Sequence, residues 1–144
     1  VDEKLLYLIK PKTLYIQDSR CQETIWNIDN LNFDEDLFTT EGTASLPKIW
    51  SNISKNVSAI FGVSITEAQI EYLKKFKRVI YIPDFDKAGY ESVEFLSKHL
   101  TNFVVNDIQS EDTDESYVND ILKMNLLKPE EYLTKYFFMF KLKR

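Results

Sequence analysis

The amino-acid sequence predicts an α/β domain built on a mainly parallel sheet of four strands, with helices on both faces of the sheet. From residue 37 onward, short β-prone runs alternate with segments that have the length and pattern of amphipathic helices. Parallel strands need crossover connections, which are usually helical and right-handed. All three glycines follow predicted strands, and an open sheet of this kind binds its ligands beyond the strands' carboxyl ends.

Four short runs rich in β-branched and aromatic residues predict the strands, and the stretches between them predict helices. One helix is indicated by apolar residues at helical spacing and another by an apolar stripe, whereas a third begins with a capping-box pattern. The predicted strands are Leu37–Thr40, Val57–Phe61, Arg78–Pro83 and Phe103–Asn106. The predicted helices are Leu46–Ile53 with Trp50 on its apolar face, a segment that starts at Thr66-Glu67-Ala68-Gln69, and Lys87–Leu100.

Two less regular segments flank this core, so we divide the chain into three parts. Residues 1–36 are expected to be an N-terminal extension with strands, and residues 37–110 are expected to form the core. Residues 111–144 combine an acidic loop with a helical segment, in which a proline and two glutamates favour a helix start at Pro129. The apolar run Tyr136–Leu142 is expected to pack on the core or on a segment outside this sequence.

Composition excludes several classes of function. One cysteine and one histidine rule out an intramolecular disulfide framework and a cysteine-based zinc site, and they make a Ser–His triad improbable. Any catalysis is therefore expected to depend on carboxylates, of which the chain has 23. The net charge of −5 argues against a broad phosphate-binding surface. No apolar run is long enough for a membrane helix, so no membrane partner is expected.

Three acidic groups follow predicted strands and are expected to converge at one edge of the sheet. They are Glu41, the pair Asp84 and Asp86, and the cluster 111–115. Alternate side chains of an extended segment point the same way, so the pair can present two carboxylates while Phe85 turns inward. Mg²⁺ prefers oxygen ligands and keeps several waters, so two or three carboxylates suffice. Taken singly, each group has an ordinary interpretation as a solvated turn, an exposed loop or a helix cap.

Several of these segments resemble TOPRIM domains, in particular those of DnaG-type and bacteriophage DNA primases. Thr40-Glu41-Gly42 resembles the strand-end glutamate motif of that family, and Asp84-Phe85-Asp86-Lys87-Ala88-Gly89 resembles its Asp-x-Asp-x-Ala-Gly signature. Asp112-Thr113-Asp114-Glu115 is similar to the acidic stretch after the fourth strand, and Ile25–Leu31 resembles the segment before the domain in phage primases. The resemblance covers residues 37–122.

The resemblance implies nucleotidyl transfer: the TOPRIM part of an enzyme that makes RNA primers on single-stranded DNA. It implies Mg²⁺ or Mn²⁺ as cofactor. Ribonucleoside triphosphates, a DNA template and a replicative helicase are the implied partners, in the bacterial or infected-cell cytoplasm. The implied catalytic residues are Glu41, Asp84 and Asp86, the implied metal ligands are Asp84, Asp86, Asp112 and Asp114, and the implied phosphate contacts are Lys87, Gly42 and Gly89.

One departure keeps alternatives open. Primases usually carry an aspartate four residues after the motif glutamate, whereas this chain has Ser45, which cannot bear that charge. A TOPRIM nuclease, a topoisomerase fragment and a degenerate, non-catalytic interaction module therefore remain as alternatives. A haloacid-dehalogenase-like phosphatase is disfavoured, because its Asp-x-Asp pair follows the first strand rather than the third.

Overall fold

A computed structural model describes residues 23–42, 45–60, 65–108, 119 and 121–142. These residues contain a five-stranded sheet in the order β2-β1-β3-β4-β5. The first four strands are parallel neighbours, which confirms the predicted sheet, and β5 pairs with β4 in the antiparallel direction. The strands are β1 (Asp36–Thr40), β2 (Val57–Ala59), β3 (Arg78–Tyr81), β4 (Phe103–Asn106) and β5 (Leu126–Leu127).

Five α-helices connect or follow these strands in the described part of the chain. They are α1 (Leu46–Asn52), α2 (Glu67–Lys74), α3 (Lys87–His99), α4 (Pro129–Lys135) and α5 (Phe137–Phe140). The predicted capping box is present, because the side chains of Thr66 and Gln69 each bond the other residue's backbone N–H. Pro129 begins α4 as predicted, at a position where its missing N–H costs no helical hydrogen bond.

Alternation along the strands places helices on both faces of the sheet, as the sequence predicts. Leu37 and Val79, neighbours across β1 and β3, belong to a buried cluster that includes residues of α2, α3 and α4. Phe38 and Ile80, one position further along, belong to a second cluster with α1 and Ile121. β1 and β3 are therefore covered on both sides, which explains why consecutive residues along these strands are buried.

Two expectations about local structure are wrong within the described residues. Trp50 does not share the buried face of α1, since its side chain is 48% exposed while Ile49 is fully buried. Thr24–Ile28 is not a strand: Asn27 has a φ of 66°, and a 3-10 helix follows over Ile28–Asn30. The other suggested N-terminal strand, Leu5–Leu14, lies outside the described residues.

The C-terminal helices contribute to the core on one side only. Tyr132 and Tyr136 are buried in the cluster that contains α2 and α3, and Phe140 packs against it. Phe138 and Met139 face outward. One side of the apolar run Tyr136–Leu142 therefore packs on the core, which was one of the two expectations for it. None of the helices in the described ranges has the length and apolar character of a membrane span.

Candidate functional site at the carboxyl edge of the sheet

Glu41 is the first residue after β1, and its half-buried side chain reaches across to α3. Its Oε1 atom accepts a hydrogen bond from Ser92 Oγ at 2.8 Å. Ser92 lies in the second turn of α3, the helix that follows the neighbouring strand β3. Sequence reasoning did not identify Ser92, because a serine on a partly exposed helix face carries no signal of its own.

Tyr81 is the last residue of β3, and its side chain is completely buried. Its hydroxyl makes no well-formed hydrogen bond to a described residue. Burial raises the pKa of Tyr81 well above its ordinary value, and the negative charges of Glu41 and Asp84 raise the pKa further. β1 and β3 are parallel neighbours, so their carboxyl ends lie at the same edge of the sheet, as the sequence predicts.

Asp84 and Asp86 occupy the turn from β3 into α3, and both residues are exposed. Asp86 is the N-cap of α3: its Oδ1 atom accepts a hydrogen bond from the Gly89 N–H at 2.7 Å. Between the two aspartates, Phe85 turns inward and packs edge-on against Tyr136, with ring centroids 5.2 Å apart. The predicted division between outward carboxylates and an inward aromatic ring is therefore present.

The predicted phosphate contacts have different surroundings. Gly89 is buried, and a Cβ atom there would meet the Asp84 backbone, whereas a Cβ on Gly42 would meet no atom within 4 Å. Lys87 is exposed and forms a loose ion pair with Glu91, with 4.0 Å between Nζ and Oε1. Its ammonium group can therefore be redirected at little cost.

The other predicted ligands, Asp112 and Asp114, lie outside the described residues together with the rest of the 111–115 cluster. Within the described ranges, no three Asp, Glu, His or Cys side chains are grouped closely enough to hold a metal ion. Asp84 and Asp86 nevertheless form an exposed, oxygen-only donor pair. That donor chemistry fits Mg²⁺, which is often bound through one or two protein carboxylates and several waters.

A further acid at this edge, Asp107, was missed by sequence reasoning. It directly follows β4 and is buried, with hydrogen bonds from Lys135 Nζ and, at 2.6 Å, from the Tyr136 hydroxyl. The rule that identified Glu41, an acid immediately after a strand, applies equally to Asp107. Its partners lie on or next to α4, so Asp107 anchors the C-terminal helices to the sheet.

A model of the family described as Toprim-like matches residues 39–120, which is more than half of the chain. That span contains the ends of β1 and β3 and the Asp84–Asp86 turn. No curated protein matches the chain at a significant level.

Solved structures with the same fold include primase cores. The primase fragment of the bacteriophage T7 primase-helicase protein is 20% identical with a TM-score of 0.58, over 69% of this chain and 47% of that chain. The E. coli primase catalytic core is 16% identical with a TM-score of 0.62, over 90% of this chain and 48% of that chain. A DnaG catalytic core is 15% identical with a TM-score of 0.62, over 85% of this chain and 46% of that chain.

The chain thus spans about half the length of the solved structures that it resembles. At these identities the likeness establishes the fold, a mixed and mostly parallel sheet with helices. The match over residues 39–120 shows that the chain belongs to the Toprim-like family, and its fold is the one found in these primase cores.

Proposed function

We propose that this chain is the TOPRIM part of a DNA primase, in which strand-end carboxylates support metal-dependent nucleotidyl transfer onto an RNA primer. The observation that carries the proposal is the position of Glu41 and Asp84, which follow the carboxyl ends of two adjacent parallel strands, β1 and β3. This is the edge at which this class of sheet binds ligands. Carboxylates that gather at such an edge repel one another, and a bound divalent cation would relieve that repulsion.

Each acid has a distinct part in the proposed reaction. Asp84 and Asp86, joined by Asp112 and Asp114, would hold Mg²⁺ or Mn²⁺. When bound, the metal supplies charge neutralisation for the triphosphate and activation of the attacking hydroxyl. Glu41, on the neighbouring strand end, is assigned the general acid–base role or a second contact with the metal.

The groups around the turn would orient the triphosphate. Lys87 is exposed and only loosely paired, so it is free to move towards a phosphate oxygen. Gly42 leaves its backbone open to close approach. We also propose that residues 1–36 are the end of a preceding primase subdomain, that 37–110 form the TOPRIM core, and that 111–144 form an acidic loop and a C-terminal helical segment.

Partners are proposed from the similar proteins. One of them is a fragment of a primase-helicase, and another is described as primase domains bound to an RNA/DNA hybrid. We therefore propose a single-stranded DNA template, ribonucleoside triphosphates and a replicative helicase as partners of the complete enzyme, and the cytoplasm as its location.

Metal binding tests the site directly. Calorimetric titration with Mn²⁺ is expected to show binding that Asp86→Asn weakens at least tenfold, since a neutral amide is a poorer ligand for a hard cation. Asp34→Asn is the matched control, because Asp34 is an exposed acid on the opposite, amino-terminal side of β1. Equal Mn²⁺ affinity for the parent and Asp86→Asn would show that the site lies elsewhere.

A second measurement separates the alternatives from primase. Nicking of supercoiled plasmid with Mg²⁺, abolished by Asp84→Asn, would indicate a TOPRIM nuclease or a topoisomerase fragment. Absence of Mn²⁺ binding by the parent chain would instead indicate a degenerate interaction module.

A further inference from the structure

We propose that Ser92 and Tyr81 are positioning residues that fix the orientation of the Glu41 carboxylate at the carboxyl edge of the sheet. This inference rests on the proposed function, because it assigns these hydroxyl groups a purpose in presenting Glu41 to the metal and the reacting hydroxyl. Neither residue belongs to the acidic constellation, and both belong to the β3–α3 unit, from which Ser92 reaches Glu41.

The Ser92 contact is a bond between secondary-structure elements. Its hydroxyl carries one proton, and two acceptors compete for it: Glu41 Oε1 at 2.8 Å and the Ala88 carbonyl oxygen at 3.0 Å. The carboxylate is the stronger acceptor, since a hydrogen bond to a charged group is about twice as strong as a neutral one. Back-bonding to Ala88 is the rest position that Ser92 adopts when Glu41 moves away.

The Tyr81 hydroxyl is a buried polar group at the end of β3, the strand next to the one that Glu41 follows. Its side chain has no exposed surface, and its hydroxyl makes no well-formed hydrogen bond within the described residues. Burying such a group without a partner lowers stability, and phenylalanine would fill nearly the same volume without that cost. A hydroxyl at this strand end is explained if it turns to donate to the Glu41 carboxylate.

Both groups are neutral donors, and this matters for their effect. They can orient Glu41 without cancelling its negative charge, unlike a lysine or an arginine in the same place. A tyrosine hydroxyl carries its proton at neutral pH, so that proton is available for donation. Two neutral donors from β3 and α3 therefore leave Glu41 charged while restricting its side-chain rotamers.

The first test measures rotamers of Glu41 directly, by NMR three-bond couplings in the metal-free chain. We expect a single dominant rotamer in the parent, and averaged rotamers in Ser92→Ala and in Tyr81→Phe. Ser97→Ala is the matched control: Ser97 lies five residues later in α3, and its hydroxyl donates to the Glu94 carbonyl oxygen of the same helix. Unaltered Glu41 couplings in Ser92→Ala would overturn the proposal, and unaltered couplings in Tyr81→Phe would remove Tyr81 from it.

A double-mutant cycle then connects orientation to function. Ser92→Ala is expected to weaken Mn²⁺ binding roughly three- to tenfold in the parent, the usual cost of immobilising one side chain on binding. In a Glu41→Gln background the same substitution is expected to change the Mn²⁺ affinity by less than about twofold, because the charged acceptor is gone. An equal loss in both backgrounds would contradict a role exercised through Glu41.

Thermal unfolding tests whether the two variants alter the orientation of Glu41 without altering the stability of the fold. In Ser92→Ala the higher helix propensity of alanine offsets part of the lost hydrogen bond, and in Tyr81→Phe a hydroxyl without a well-formed partner is removed, so both variants are expected to change the melting temperature little. Failure of the proposed metal site can be distinguished from failure of the proposed positioning of Glu41. If the parent and Asp86→Asn bind Mn²⁺ equally, the metal site is misplaced, and the Glu41 couplings still decide whether Ser92 and Tyr81 position that side chain.

Discussion

A Cβ atom at position 89 would lie 2.0 Å from the carbonyl oxygen of Asp84, so Gly89 and Asp84 are in direct backbone contact. No side chain fits between the first turn of α3 and the turn that carries the two aspartates. Packing therefore explains the glycine that ends the segment Asp84–Gly89: it lets the start of α3 lie directly on the Asp84 backbone.

Gly89→Ala is expected to destabilise the fold by roughly 1–3 kcal/mol, the usual cost of overpacking. The sign is diagnostic, because glycine to alanine within a helix normally stabilises by up to about 1 kcal/mol. Gly42→Ala is the control, since a Cβ there meets no atom within 4 Å. Chemical denaturation measures both, and a stabilised Gly89→Ala variant would contradict the close contact.

Asp86 combines a predicted metal contact with a helix cap, and two substitutions separate these roles. Asp86→Asn retains an oxygen that can accept from the Gly89 N–H, so the metal-free protein is expected to keep nearly its full stability. Asp86→Ala removes the cap and is expected to cost roughly 1 kcal/mol. Thermal unfolding without metal compares the variants, and equal losses for both would argue against capping.

Asp107 is expected to contribute to stability more than the other carboxylates at this edge. Its side chain is buried and accepts hydrogen bonds from Lys135 and Tyr136. Asp107→Asn should therefore destabilise the chain by roughly 1–3 kcal/mol. Glu94→Gln, which disrupts the more exposed pair with Lys141, should change stability little. Denaturant midpoints with matched slopes would check this ranking, and an Asp107→Asn variant as stable as the parent would refute it.

Stability is expected to fall above about pH 10. Burial is the main cause that raises the pKa values of Tyr132 and Tyr81 above the ordinary value of 10.0. A group whose pKa is raised by folding contributes stability that is complete below the unfolded pKa and is lost as the pH rises towards the folded pKa. Denaturant unfolding at several pH values, with Tyr132→Phe for comparison, measures the slope, which should be shallower in the variant. A constant stability between pH 10 and 12 would contradict the burial of these hydroxyls.

This chain by itself is not expected to synthesise primers. Its net charge is −5, whereas single-strand binders combine a basic track with aromatic stacking platforms. Lys74 illustrates the shortage, since its ammonium pairs with Glu71 at 3.1 Å. Incorporation of labelled ribonucleotides on a single-stranded template with Mg²⁺ or Mn²⁺ is the assay. Robust synthesis by this chain would reveal a template site within it.

The regular parts of the fold follow from local patterns. The strand Phe103–Asn106 was predicted with its observed bounds, and the capping box at Thr66 was identified from residue types alone. Trp50 was misplaced, because apolar spacing does not distinguish a buried face from an exposed edge. Strand β5 was missed, since two residues carry no period, and its pairing with β4 depends on tertiary contacts.

The site was predictable to the extent that strand ends determine it. Glu41, Asp84 and Asp86 lie at the predicted edge, and Phe85 turns inward as alternation requires. Ser92 could not be found in this way, because its hydrogen bond to Glu41 joins residues 51 positions apart. Only the crossing of α3 over the end of β1 brings them together.

The packing contacts of Phe85 extend beyond the segment matched by the family model. Its ring packs against Tyr136 and Phe140, which lie past residue 120, where that match ends. A fragment cut at the family boundary would leave the aromatic ring between the two aspartates facing water. The segment that defines membership in the family is thus shorter than the segment needed to hold its signature turn in place.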